Sequence, residues 1–252
     1  MPIFDLAGKV ALVTGGSKGL GKAMARGFAQ AGADVMISSR HENELRAALD
    51  DILAGTERRG RYVVADMARR EDVNRLAAAA LADMGRVDIL VNNAGTNIPQ
   101  PIDEIRDDDW NTVMEINLNS VMALTRALVP QMKSRRWGRI IHISSIMGLV
   151  SAPGRNVYSV TKSALIGMAR ASALDLGSFG ITVNCIAPGP FLTDLPMSLL
   201  SEEQRREFTR MTALGRWGDP TELVGPALLL ASDAGSYITG TTIVVDGGWL
   251  AR

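Results

Sequence analysis

The run Lys9-Val-Ala-Leu-Val13 leads directly into Thr14-Gly-Gly-Ser-Lys-Gly-Leu-Gly21, and Lys22 to Ala31 then reads as a helix stopped by Gly32. An apolar strand, a glycine turn and a helix in that order form the opening of a nucleotide fold. Glycine lets backbone approach a pyrophosphate closely, and the helix N-terminus offers unpaired N–H groups and a positive dipole end. The glycines fall at Gly15, Gly19 and Gly21, a longer spacing than the common G-x-G-x-x-G. Gly15, Ser17, Lys18, Gly19, Leu20 and Gly21 are therefore the candidate phosphate-binding residues.

The next apolar run, Asp34 to Ser39, closes on Ser39-Arg40 and not on the acidic residue that accepts from a ribose 2′-hydroxyl. An arginine at this point suits a 2′-phosphate, and Lys18 can add a second positive charge. A solvated arginine opening the next helix is the other reading. The first predicts NADP(H) in preference to NAD(H).

Onward, β-like and helical patterns alternate without a linker or repeat. A helix over 42–54 precedes strand 61–65. Asp66 then suits either an adenine amino group or the N-cap of a helix beginning near Arg70. Helix 71–84 leads to strand 87–91 and to Asn92-Asn-Ala-Gly95, where a plain turn and a ligand-binding strand end are both readable. Residues 109–134 read as one long helix with Pro130 near its end. Asn117 in its middle predicts a polar contact or a kink. Strand 139–143 ends in Ser144-Ser145. A helix from Tyr158 to about Ser178 is small and apolar on most sides, which predicts burial, here against another subunit. Strand 181–186 gives way to Pro188-Gly-Pro-Phe-Leu-Thr193, and the long segment at about 190–218 is a candidate substrate lid. A helix from Pro220 to Ser232 and a strand over 241–246 finish the chain. The pattern predicts one domain over 1–252, α/β in class. It is a Rossmann-type, doubly wound parallel sheet of about seven strands with helices on both faces.

Composition narrows the function. Lysine plus arginine and aspartate plus glutamate both number 27, so no net charge advertises a nucleic acid or other polyanion. The hydrophobic fraction of 46% supports a sizeable core. No apolar run approaches the ~18 residues of a membrane span, and the N-terminus lacks a signal-peptide pattern. The single cysteine, Cys185, sits in an apolar run as a buried small hydrophobe, which fits a cytoplasmic protein. His41 and His142 have no partners at ligand spacing, so no metal is expected.

Tyr158-Ser-Val-Thr-Lys162 carries the chemistry. Residues four apart share a helix face. An ammonium beside a phenol stabilises the phenolate and draws its pKa from about 10 toward the working range. On its own the pair is also an ordinary packing pair.

Taken together, Thr14-Gly-x-x-x-Gly-x-Gly21, Asn92-Asn-Ala-Gly95, Asn117, Ser145, Tyr158-x-x-x-Lys162, Pro188-Gly189 and Asp246-Gly-Gly248 resemble the short-chain dehydrogenase/reductase family over the whole length. The resemblance implies that Tyr158 is the general acid or base and that Ser145 holds the substrate oxygen. It implies that Lys162 lowers the Tyr158 pKa and binds ribose hydroxyls, and that Asn117 holds a water in a proton relay. It assigns adenine to Asp66 and Met67, the ribose region to Asn93, Ala94 and Gly95, and the carboxamide to backbone at Ile186 and Pro188 and to Thr193. It further implies a homotetramer built partly through the Tyr158 helix. Gly189-Pro-Phe191 and Gly215-Arg-Trp217-Gly218 are similar to gluconate and other polyol or sugar dehydrogenases, which implies hydride transfer between nicotinamide and a small-molecule secondary alcohol or ketone, a sugar acid or polyol. The chain also resembles 3-oxoacyl-carrier-protein reductases, for which Arg135, Arg136 and Arg139 are the candidate carrier contacts. A non-catalytic dinucleotide-sensing regulator is the reading from another class, but such relatives usually lack the tyrosine or the lysine.

Overall fold

The structure is a computed structural model that describes residues 2–194, 197 and 200–251. Seven strands form one sheet: β1 (Val10–Thr14), β2 (Asp34–Ser39), β3 (Gly60–Val64), β4 (Ile89–Asn92), β5 (Gly138–Ile143), β6 (Ile181–Pro188) and β7 (Thr242–Val245). Their order is β3-β2-β1-β4-β5-β6-β7, and every pairing is parallel. The chain winds outward from β1 in one direction and from β4 in the other. The carboxyl ends of β1 and β4 therefore flank the topological switch point, where open α/β sheets hold ligands.

Period-two alternation divides the core between two faces. Val10 and Leu12 of β1 pack with Met36, Leu90 and Val183 under α3 (Arg70–Met84), α5 (Ser120–Arg135) and α6 (Asn156–Leu176). Ala11 and Val13 face the other way, with Val35, Ile37 and Ile141, under α1 (Gly19–Gln30), α2 (Glu42–Leu53) and α8 (Val224–Ala231). Covering both faces explains why β1 reads as a continuous apolar run and why all five of its residues are buried. Leu12 and Phe28 are fully enclosed, so truncating either to alanine costs about 2–5 kcal/mol.

The predicted long helix over 109–134 is interrupted. It comprises α4 (Asp107–Met114), a π turn (Glu115–Asn119) and α5. The kink expected at Asn117 is this π turn. The helix expected from Pro220 opens as a 3₁₀ turn over Pro220–Leu223 before α8. Asp66 is not the N-cap of α3. Arg69 occupies that position, and the Asp66 carboxylate accepts from Ala68 N at 3.0 Å, one turn too early to cap the helix. Helix α6 is also not buried all round. Leu165, Ile166, Ala169 and Ala173 face the sheet, whereas Val160, Gly167, Ala171 and Leu174 form an exposed stripe, with Leu174 87% exposed. Within the segment at about 190–218 lies α7 (Glu202–Met211), started by a reciprocal cap between Ser201 and Gln204. Residues 195, 196, 198 and 199 of that segment lie outside the described residues. Among the described residues no helix is long and apolar enough to cross a membrane.

Candidate active site

The carboxyl ends of β1, β4, β5 and β6 open on one cavity of about 660 Å³. At its floor the glycine turn is tied to the segment after β4. Thr14 Oγ1 accepts from the N–H groups of Asn93 and Ala94, both at 3.0 Å. Asn93 Nδ2 donates to the carbonyls of Thr14 and Gly15 at 2.9 and 3.2 Å. Gly15 has φ 63°, which a side chain rarely tolerates. A Cβ at Gly21 would stand 2.3 Å from Gly15 O, so this position admits no side chain. Helix α1 begins at Gly19 with no side chain capping its first turn, which leaves its leading N–H groups available to an anion.

Ser39 and Arg40 line the same cavity at the end of β2. The hydroxyls of Ser38 and Ser39 are buried without a partner. The Arg40 guanidinium makes no hydrogen bond or ion pair among the described residues. Lys18 reaches the same wall but is already engaged, 2.8 Å from Glu44 and 3.9 Å from Asp194. That pairing raises its pKa, first through the hydrogen bond to Glu44. Free backbone donors, orphaned hydroxyls, an unpaired arginine and a floor that excludes Cβ atoms fit a phosphorylated dinucleotide. Asp66, Met67, Ala94, Gly95, Pro188 and Thr193 complete this half of the lining. Ile186 does not line it: its carbonyl accepts from Ser144 N at 2.8 Å.

Helix α6 supplies the other half. Tyr158 and Lys162 both line the cavity from one face, as their spacing requires. Lys162 is 4% exposed and donates to Ile143 O at 2.8 Å, and its Nζ is 5.5 Å from the centre of the Tyr158 ring. Burial lowers the lysine to about 8. Tyr158 is raised from its ordinary value, because burial outweighs the opposing effects of the Ser145 hydroxyl and the Arg155 guanidinium. The phenol is thus held protonated, with Ser145 and Arg155 opposing the effect of burial and the Lys162 ammonium on the same side of the ring. The two serines after β5 point in different directions. Ser144 Oγ is turned inward onto Lys162 O at 2.8 Å, whereas Ser145 Oγ is beside the phenol and accepts from Met147 N at 3.1 Å.

Asn117 lies behind the lining and is fully buried. The π turn aims its carboxamide at the 95–97 segment. Oδ1 accepts from Thr96 N at 2.8 Å, and Nδ2 donates to Thr96 O at 2.9 Å and to Thr161 Oγ1 at 3.1 Å. A Cβ at Gly95 would stand 3.4 Å from both Asn117 Oδ1 and Lys162 Nζ, so glycine keeps the space between them open.

Several lining residues escaped the sequence reading. Asn97 is 6% exposed with an unpartnered Oδ1, and Met147 and Phe208 form apolar wall beside Trp217, which the sequence marks only as part of a family-like stretch. Trp217 is fixed by its indole N–H, which donates to Thr209 Oγ1 at 3.0 Å. Arg155, three residues before Tyr158 and hence on its helix face, had a readable signal in that spacing. The candidate carrier contacts do not reach the cavity. Arg135 is bound to Asp88 at 2.6 Å, Arg136 donates to Ser178 O, and Arg139 is 3% exposed against Trp137 and Asp233. All three sit at the amino end of β5, opposite the site. Cys185 is fully buried with its thiol pushed up to about 12, as a core residue would be.

A family model described as "Enoyl-(Acyl carrier protein) reductase" matches residues 15–250. The gluconate 5-dehydrogenase of Gluconobacter oxydans is 36% identical over 250 residues, 98% of this chain and 96% of that protein. The 3-oxoacyl-[acyl-carrier-protein] reductase FabG of Chlamydia muridarum is 37% identical over 243 residues, covering 96% and 98%. A gluconate 5-dehydrogenase from Burkholderia cenocepacia, crystallised with NADP and tartrate, superposes with a TM-score of 0.93 at 34% identity, covering 99% and 98%. End-to-end likeness of this kind, on a chain whose Tyr158, Lys162 and Ser145 meet beside a glycine turn, places it: this protein is an oxidoreductase belonging to the short-chain dehydrogenase/reductase family.

Proposed function

We propose that the protein is an NADP(H)-dependent dehydrogenase/reductase that interconverts a secondary alcohol and a ketone, with a sugar acid or polyol as substrate. The observation that carries this reading is the convergence of Tyr158, Ser145 and Lys162 in the cavity that also contains the glycine turn and Arg40. The free arginine and the two orphaned serine hydroxyls at the end of β2 support a 2′-phosphate there. When bound, the nicotinamide supplies or accepts the hydride at the substrate carbon.

The protein's own groups manage the proton and the oxygen. Tyr158 donates its proton to the substrate oxygen in reduction and removes it in oxidation. Ser145 hydrogen-bonds that oxygen and stabilises the charge that develops on it. Lys162 gives one N–H to Ile143 O, which leaves two for ribose hydroxyls and for proton exchange. The opening kept by Gly95 between Lys162 and Asn117 suits a bridging water that recharges the tyrosine. On the substrate side, the unpartnered Asn97 carbonyl suits a substrate hydroxyl, and the 190–218 segment serves as the covering wall. The exposed stripe on α6 supports assembly as a homotetramer, and the single buried thiol supports a cytoplasmic setting.

A 3-oxoacyl-carrier-protein reductase is the rival, given a relative at similar identity. It is disfavoured because the arginines expected to meet the acidic carrier lie at the wrong end of β5. Following NADPH absorbance across polyols, sugar acids, steroids and acyl thioesters decides between them. Turnover is expected with sugar acids or polyols, and rates confined to acyl thioesters overturn the reading.

A further inference from the structure

Arg155 is a cation without an assignment. It lines the cavity, is partly buried, and its guanidinium makes no hydrogen bond or ion pair among the described residues. It stands at the N-terminal cap of α6, one turn before Tyr158, and the two are close enough for its charge to favour the phenolate. Burial lowers its own pKa, so it stands partly desolvated with no compensating anion. A guanidinium in that state binds a planar, bidentate acceptor well.

The acidic side chains lining the cavity are elsewhere. Glu44 and Asp194 are held around Lys18 at the glycine-turn end, and Asp66 accepts from Ala68 N after β3. The half that contains Ser145, Tyr158 and Asn97 therefore has positive charge from Arg155 and Lys162, and no carboxylate among the described residues. A substrate whose reacting hydroxyl is on Ser145 and Tyr158 meets Arg155 with whatever group it carries further along its chain.

We propose that Arg155 is a specificity-determining residue that binds the carboxylate of the substrate, so that the enzyme selects hydroxy or keto acids over neutral polyols of the same shape. The inference rests on the secondary-alcohol reading above and narrows it from sugar acids or polyols to the acids.

D-gluconate and D-gluconamide test it, because they differ in charge at one end while the hydroxyl chain is unchanged. Initial rates with NADP and calorimetric binding are measured for the unaltered enzyme, Arg155→Gln and Arg155→Lys. The unaltered enzyme is expected to favour gluconate in kcat/KM and in affinity by about tenfold to a hundredfold. In Arg155→Gln that ratio falls toward one, mainly through KM, and Arg155→Lys recovers part of it. Removing the charge also raises the phenol pKa, but this slows both compounds alike and leaves their ratio untouched. Equal kcat/KM for the two compounds in the unaltered enzyme, or a ratio unmoved in Arg155→Gln, overturns the inference while the alcohol reading stands. If neither compound is bound or turned over and only acyl thioesters react, both fall together.

Discussion

The two ends of the parallel sheet treat charge in opposite ways. At the amino end, Asp88 is 3% exposed and fully occupied: it accepts from Val10 N at 2.8 Å, Arg86 Nε at 2.9 Å and Arg135 Nη1 at 2.6 Å. Arg139, just as buried, lies over the Trp137 ring and pairs with Asp233. At the carboxyl end, Arg40 and Arg155 have no bonded partner among the described residues, two serine hydroxyls are orphaned, and Lys162 holds one carbonyl. Saturated charges hold the scaffold together, and unsaturated ones wait for a ligand. Leaving polar groups unsatisfied costs stability, so finding them together in one cavity is itself a mark of function.

The sharpest way to break this contrast is at the carboxyl end. Tyr158→Phe should reduce kcat by about a thousandfold or more, the upper range for a lost general acid. Its thermal midpoint should change by little, because the ring stays and only the hydroxyl's contact with Ser145 at the cavity wall is lost. Substantial turnover in this variant would remove the acid–base role. Asp88→Ala should do the reverse. It removes the carboxylate shared by Arg86 and Arg135, which keep only carbonyl and amide acceptors, and leaves the buried Val10 N–H without its partner. This predicts a loss of about 2–3 kcal/mol in denaturant unfolding with catalytic constants preserved at low temperature. A third comparison measures unsatisfied charge directly. Arg40→Ala should weaken NADPH by about tenfold to a hundredfold and NADH far less, and equal losses would place the 2′-phosphate elsewhere.

His142, one residue from the carboxyl end of β5 and beneath the cavity, offers the smallest test. It is fully buried, Nδ1 is 3.0 Å from Asn92 Nδ2, and Nε2 has no partner. Burial, helped by the nearby Lys162 charge, lowers its pKa to about 4. Between pH 6.5 and 4 the unfolded chain therefore binds a proton that the folded chain refuses. Stability should rise with pH across that window and fall on acidification, by on the order of 1 kcal/mol from pH 6.5 to 5.5. In His142→Asn that slope should flatten. An unchanged slope would assign the acid sensitivity to carboxylates.

Much of this was legible in the chain because the two-sided burial of a parallel sheet leaves a strong local mark. The run Val10–Thr14 has no polar interruption since helices cover both its faces, and each predicted strand recurs with its ends shifted by at most a residue or two. The glycine turn was equally plain, because backbone approach admits few alternatives. What stayed hidden depends on direction and on distant partners. Arg139 reads as a neighbour of Ser145 in sequence, yet it opens β5 while the serine follows its far end. Strand polarity already separated them. Asp66 looked like a cap because its side chain type favours one, but the turn closes on Ala68 before α3 begins. Phe208 and Trp217, 6.0 Å apart between ring centres, come together only where the chain after α7 folds back on it, a pairing that the local sequence around neither residue shows.

The π turn at Glu115–Asn119 has a consequence for the length of the chain itself. It holds one more residue than an α turn, and each α-helical residue advances the helix by about 100°. A deletion of one residue between 115 and 119 would knit α4 and α5 into an unbroken rod with better backbone geometry. It would also swing the Asn117 amide away from Thr96 and Thr161, and with it the water site proposed between Asn117 and Lys162. Here a more regular helix would make a worse enzyme.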